Sequence, residues 1–359
     1  MSNTGNVSPE SIPSLYAQQV VSGDHALHQH ADNECCCVCS GQTFKEQMRL
    51  PGTRFGIHDC QSCGTGMLFP SPTPDELASF YVSQYYGESG QKFGRLTEIL
   101  VRLVGNRQTH FLTRHLSPGG HVLDVGCGRG VVASPLAAAG YHVTGFEISA
   151  DAVQGIHRDV EVLIAASLQE APVRAAEYDL VIIWHVLEHV TGPDATLQAA
   201  CRALKPGGKL VVAVPNYSSW QARLFGSAWF HLDPPRHLYH FPSTALQTLL
   251  KNCGLDVLRE HHFSLRQNPF GWVQSILNKL LPRQRNRLYS YLLNEPLPEG
   301  NLTLAARIGW LATYVAGMVI VLPLAIAAAV FRSGGTIHYL AARPVTDQQT
   351  TAAESVLDG

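Results

Sequence analysis

Residues 121–149 read His-Val-Leu-Asp-Val-Gly-Cys-Gly-Arg-Gly, then a run rich in alanine and leucine, then Tyr-His-Val-Thr-Gly-Phe-Glu-Ile-Ser. Few folds accept such a stretch. Val122–Val125 is a short run of branched residues suited to a strand. Gly126, Gly128 and Gly130 follow at alternate positions. Val131–Ala139 reads as a helix, and Gly140 stands where a C-cap belongs. A second β-run, Tyr141–Phe146, leads into the acid Glu147. A strand, a glycine-rich turn, a helix and a second strand with an acid about twenty residues on is the layout that binds an adenosine nucleoside.

The spacing narrows the ligand. A dinucleotide site uses G-x-G-x-x-G, with its third glycine where the helix crosses the strand. Here the pattern is G-x-G-x-G, and that position holds Val131. Asp124, just before the turn, repels a phosphate but accepts hydrogen bonds from an ammonium group. A nucleoside with an amino-acid end and no phosphate fits, which points to S-adenosyl-L-methionine. Val-Leu-Asp-Val-Gly-Cys-Gly-Arg-Gly resembles the first motif of the class I S-adenosylmethionine-dependent methyltransferases.

Later segments extend the resemblance in order. Glu161–Ala166 reads as a third strand, and Tyr178–His185 is the continuous apolar run a central parallel strand needs. Val186-Leu-Glu-His-Val190 resembles the family's fourth motif. Leu204-Lys-Pro-Gly-Gly208 with Lys209–Pro215 resembles its turn and fifth strand. Leu255–Ser264 and Thr336–Ala342 supply the sixth and seventh strands. The fold this implies is α/β, a doubly wound, mostly parallel seven-stranded Rossmann-like sheet. The resemblance also implies roles: Asp124, Gly126, Gly128 and Gly130 at the methionine end, Glu147 on the ribose hydroxyls, Ser167 and Leu168 at the adenine, and His185 bordering the sulfonium. His189, His237 and His240 are the candidate general bases, since imidazole titrates near neutral pH. Alternatively, Glu188-His189 only caps the helix after the fourth strand, while His237 and His240 hold their loop. Arg236 reads as an anchor for an acidic group or as a member of an ion pair.

The cysteines point to a second ligand. The chain opens without the charged and apolar regions of a secretion signal, so a reducing cytoplasm is expected, where clustered thiols mean metal. Cys36/Cys39 and Cys60/Cys63 form two C-x2-C knuckles at the separation of a four-cysteine Zn2+ ribbon, structural because four thiolates leave no open position. Cys35 and Cys37 leave a shifted register open. A similar ribbon, followed by a Phe-Pro-x-Pro-x-Pro stretch as at Phe69–Pro74, heads many bacterial members of the same class.

The expected order is a disordered tail (1–34), the ribbon (35–70), a helical linker or lid (71–120), the core (121–264), an insertion (265–335), the last strand (336–344) and a second disordered tail (345–359). Ser243 is expected to N-cap a helix over Thr244–Asn252. The insertion is the oddity. It carries seven basic residues (Arg266, Lys279, Arg283, Arg285, Arg287, Arg307, Arg332) against Glu295 and Glu299, in a chain of net charge −2. It also holds Leu311–Phe331, uncharged throughout and about 30 Å long as a helix, one bilayer core. Both ends of the insertion belong to one sheet, so a single crossing is excluded. A re-entrant or interface-lying element, bent back near Pro323, is expected. The implied function is methyl transfer to an O or C atom of a small acceptor, membrane-resident or lipid-linked, such as a quinone precursor, a lipid-linked sugar or a glycolipid. The expected site of action is the inner face of the membrane. Alternatives are a soluble sugar or natural-product methyltransferase whose insertion forms a homodimer interface, and an inactive cofactor-binding scaffold. Nucleic acid is not expected, because the basic residues alternate with an apolar run and line no groove.

Overall fold

The computed structural model describes residues 35–73, 75–77, 112–114, 116–293 and 303–345. The expected tail 1–34 and nearly all of the helix expected over Gln91–Leu116 lie outside these residues. So does the second expected tail beyond residue 345.

Eleven strands are described. Seven of them make the main sheet: β4 (His121–Val125), β5 (His142–Glu147), β6 (Val160–Ile164), β7 (Tyr178–Trp184), β8 (Leu204–Pro215), β10 (Asp256–His261) and β11 (Thr336–Ala342). Their order across the sheet is β10-β11-β8-β7-β4-β5-β6. The five strands from β8 to β6 are parallel, and β11 runs antiparallel to both of its neighbours. The seven-stranded, mostly parallel expectation holds, with strand ends moved by one to three residues. The exception is β8, which begins at Leu204 rather than Lys209. In β7, Leu180, Val181, Ile182 and Ile183 are fully buried. Covering both faces of such a strand stabilises the domain by roughly 1.5–3 kcal/mol per large side chain.

The helix after β4, α1 (Ala133–Ala138), is shorter than expected, and Gly140 follows it at φ +87°. Beyond β7 come α2 (Pro193–Ala203), α3 (Trp220–Phe225) and α4 (Ser243–Asn252). Helix α4 starts at Ser243 itself, with Pro242 as the cap residue, so the expected N-cap is corrected. The Ser243 hydroxyl instead donates to Glu260 and lies 2.7 Å from the Tyr339 hydroxyl. A half-buried carboxylate competes for it more strongly than a half-exposed helix end.

The remaining strands form a second sheet, β1 (Phe44–Arg49), β2 (Gly56–Cys60), β3 (Gly66–Phe69) and β9 (Tyr239–His240), in the order β1-β2-β3-β9. Its last strand comes from the core, so ribbon and core share a sheet. They also share one hydrophobic cluster, which runs from Ile57 and Leu68 through Phe241 to Val212.

The insertion is helical: α5 (Gln267–Leu280), α6 (Arg287–Leu292) and α7 (Leu304–Val330). Helix α7 continues through Pro323, which overturns the expected bend there. The proline forfeits one backbone hydrogen bond, but the surrounding turns are long and apolar enough to continue past it. Val321, Ala325 and Ala328 bury one stripe of α7, while Leu304, Ile308, Val315, Val319 and Ile320 are exposed. Among the described residues, α7 is the one helix long and apolar enough to cross a membrane.

Candidate active site

The glycine turn sits at the carboxyl end of β4. The Gly126 and Cys127 amides both donate to the Phe146 carbonyl, at 2.8 and 3.1 Å, which pins the turn to the end of β5. Gly126 has φ +70°, and a Cβ there would stand 2.4 Å from Val186 Cγ2, so the turn and the segment after β7 meet only because this residue is glycine. Gly128, at φ +49°, faces open space. It is the part of the turn a ligand can approach.

Two carboxylates lie under the turn. Glu147 ends β5, buried, and accepts the Gly128 amide at 3.0 Å and the Ile148 amide at 2.8 Å. Burial raises its pKa despite those bonds. Asp124 is buried in β4 and pushed up to about 7, first by burial and then by the charge of Glu147. Two desolvated acids repel a pyrophosphate and attract a ligand bearing ammonium and sulfonium charge. The residues present therefore fit S-adenosylmethionine. At the far edge, beyond β6, Leu168 is buried and the Ser167 hydroxyl donates to Glu170 at 2.9 Å.

The residue after β7 is His185, at φ +54°, a left-handed conformation that costs a non-glycine residue roughly 1–3 kcal/mol. Its Nδ1 lies 3.1 Å from Glu188 Oε1, and Glu188 is 1% exposed. His189 and His237 both use Nδ1 to donate to backbone carbonyls, of Arg236 at 3.0 Å and of His231 at 2.8 Å. Their rings meet edge to face with centroids 4.5 Å apart. His240, in β9, is buried beside Tyr217, with ring centroids 5.5 Å apart. The three candidate bases thus share one neighbourhood next to His185, and two of them tie residues 231–237 to the segment after β7. Arg236 is paired with Asp233 at 2.6 Å.

Reading the sequence missed His231, His338, Gln221 and Asn268. All four are buried around this cluster, and His231 Nε2 and His338 Nε2 have no hydrogen-bond partner among the described residues. His338 stacks on Trp184 with centroids 4.8 Å apart. The Gln221 amide donates to the Asn268 carbonyl at 2.8 Å, which ties α3 to α5. The one local signal was Gly271 in α5, where a Cβ would meet Gln221 Oε1 at 2.4 Å and His231 Nε2 at 2.9 Å.

The four ribbon thiols converge. Their Sγ atoms all lie within 4.8 Å of one another, with Cys36–Cys63 and Cys39–Cys60 at 3.6 Å. Zinc–thiolate bonds of about 2.3 Å give a tetrahedron with edges of about 3.8 Å, so the donors stand where the ion needs them. Cys35 and Cys37 lie outside the cluster.

Residues 96–260 match the methyltransferase-domain family. The ubiquinone biosynthesis O-methyltransferase of Maricaulis maris (strain MCS10) is 29% identical over 250 residues, 64% of this chain and 95% of that one. That of Salmonella enteritidis PT4 (strain P125109) is 30% identical over 162 residues, 42% of this chain and 67% of that one. That of Aromatoleum aromaticum (strain DSM 19018 / LMG 30748 / EbN1) is 36% identical over 114 residues, and there the chain spans about half of its relative. With the strand order and the glycine turn, these matches make the chain a member of the class I S-adenosylmethionine-dependent methyltransferases.

Proposed function

We propose that the enzyme methylates a hydroxyl oxygen of a small, membrane-resident or lipid-linked acceptor, a quinone precursor above all. The relatives named for O-methylation in ubiquinone biosynthesis support the acceptor class. The observation that carries the membrane reading is α7. It leaves Val319 68% and Ile320 74% exposed on a helix in contact with α5, and α5 in turn closes the imidazole cluster. Burying roughly 300 Å2 of such surface at about 25 cal/mol per Å2 contributes about 7 kcal/mol, enough for peripheral attachment without spanning. The excess basic residues of the insertion suit an anionic inner leaflet.

In this reading Asp124, Gly126, Gly128 and Gly130 hold the methionine end, Glu147 the ribose, and Ser167 and Leu168 the adenine. His185, His189, His237 and His240 face the acceptor. Bound there, S-adenosylmethionine supplies an electrophilic methyl group, while the protein aligns the acceptor and excludes water. Cys36, Cys39, Cys60 and Cys63 hold a structural zinc ion.

Two measurements test this. Incubation of the purified protein with S-adenosylmethionine and a polyprenylated catechol should give a product heavier by one CH2; methylation of soluble sugars alone would replace the acceptor. The protein should also float with anionic liposomes, and Val319→Glu with Ile320→Glu should release it. A dimer that ignores liposomes would make α7 a subunit interface instead.

A further inference from the structure

His185 is held in an unusual way at both backbone and ring. Its amide donates to the Ala213 carbonyl at 2.9 Å, and its φ of +54° departs from the extended backbone of β7. The next residue, Val186, packs over Gly126, so the imidazole is tied to the turn that receives the methionine end. Nδ1 faces the Glu188 carboxylate at 3.1 Å, while Nε2 is buried and has no hydrogen-bond partner among the described residues. Such an unpaired buried nitrogen calls for an explanation. Around the ring stand Arg266, His231 and His338, and around Glu188 stand His189 and Asp233. Burial, and then the Arg266 charge, lowers the pKa of His185 to about 3, so the free ring is neutral at working pH.

We infer that His185, oriented by Glu188, is the base that takes the acceptor's hydroxyl proton, in place of His189, His237 or His240. The inference rests on the O-methylation reading above. With Nδ1–H donated to the carboxylate, the lone pair sits on Nε2, and Glu188 stabilises the imidazolium as it forms. His189 and His237 spend Nδ1 on carbonyls, and the Asp233 carboxylate stands 3.8 Å from His237 Nε2, beyond hydrogen-bond reach, so neither ring shows the carboxylate-bound Nδ1 of His185. His240 also has an unpaired Nε2, but among the described residues no carboxylate is hydrogen-bonded to its ring, and Asp233 acts on it only through its charge. As the hydroxyl proton passes to Nε2, the oxygen forms its bond to the methyl carbon. The carbon–sulfur electron pair stays on sulfur, which loses its positive charge. His185 then releases the proton to water, so one positive charge enters as sulfonium and one leaves as a proton.

The test uses the full chain, S-adenosylmethionine and catechol as acceptor probe. His185→Gln should lower kcat about 100-fold or more while cofactor affinity by calorimetry stays within about threefold. Glu188→Gln keeps an oxygen for Nδ1–H but removes the charge, and carries the test if His185→Gln does not fold. Burial pushes the Glu188 carboxyl up to about 7, and its ionised form orients the base. The wild-type rate should therefore rise with pH through about 7, and Glu188→Gln should flatten that limb. Nitrogen-15 spectra of labelled histidines should show His185 protonated at Nδ1. A kcat unchanged in His185→Gln, or a ring protonated at Nε2, overturns the assignment. If the wild type methylates no phenolic hydroxyl, the acceptor reading fails, and the spectrum still decides whether Nε2 is the free nitrogen.

Discussion

The two halves of the active site are built differently. The cofactor half comes almost entirely from one continuous stretch, His121 to Ile148, in which a strand, a turn and a second strand bring Gly128 and Glu147 within 3.0 Å. The proposed acceptor half draws on the end of β7, residues 217–240, α5, β11 and the edge of the ribbon. A local unit keeps its shape whenever its own residues are right. A unit gathered from five places depends on every element that delivers a piece, including a four-cysteine ribbon whose chemistry is unrelated to the reaction.

That contrast can be broken most forcefully at the ribbon. Cys60→Ser with Cys63→Ser should lower the zinc content from about one ion per chain to none and abolish acceptor turnover, because β3 would no longer hold β9 and His240 in place. Calorimetry should still show S-adenosylmethionine binding within about threefold of wild type. Equal loss of both functions would mean that the halves are not separable. A smaller effect is expected within the cofactor half. Glu147→Ala should weaken cofactor binding by roughly 2–3 kcal/mol, the loss of a charged double hydrogen bond, and unchanged affinity would remove Glu147 from the ribose role. Smaller again is the pH dependence set by Asp124, whose carboxyl is pushed up to about 7. Only its ionised form accepts from an ammonium group, and ionisation increases as pH rises. Affinity should therefore improve by up to about tenfold from pH 6 to pH 8, and Asp124→Asn should abolish the slope.

The same contrast explains what could be read from the sequence. The turn, Glu147, the seven strands and the two C-x2-C knuckles all follow from short-range patterns of spacing and apolarity, while Cys35 and Cys37 left the register of the first knuckle open. The partners of His185 do not. Glu188 is three residues away and was visible, but His231, Arg266 and His338 arrive by tertiary folding. Ser243 looked like a cap because its local context is that of one, and Glu260 and Tyr339, which engage it, belong to strands further along the chain. Pro323 looked like a bend because proline breaks isolated helices, yet α7 runs on to Val330, with Val321, Ala325 and Ala328 seated on its neighbours.

The pairing of β3 with β9 has a consequence for biosynthesis. The edge of β3 leaves the ribosome about 170 residues before Tyr239 and His240 exist to cover it. At roughly 5–20 residues per second the nascent ribbon would carry an open edge for about 10–35 s. An open strand edge is a template for unwanted association, and one only four residues long keeps the exposed template small.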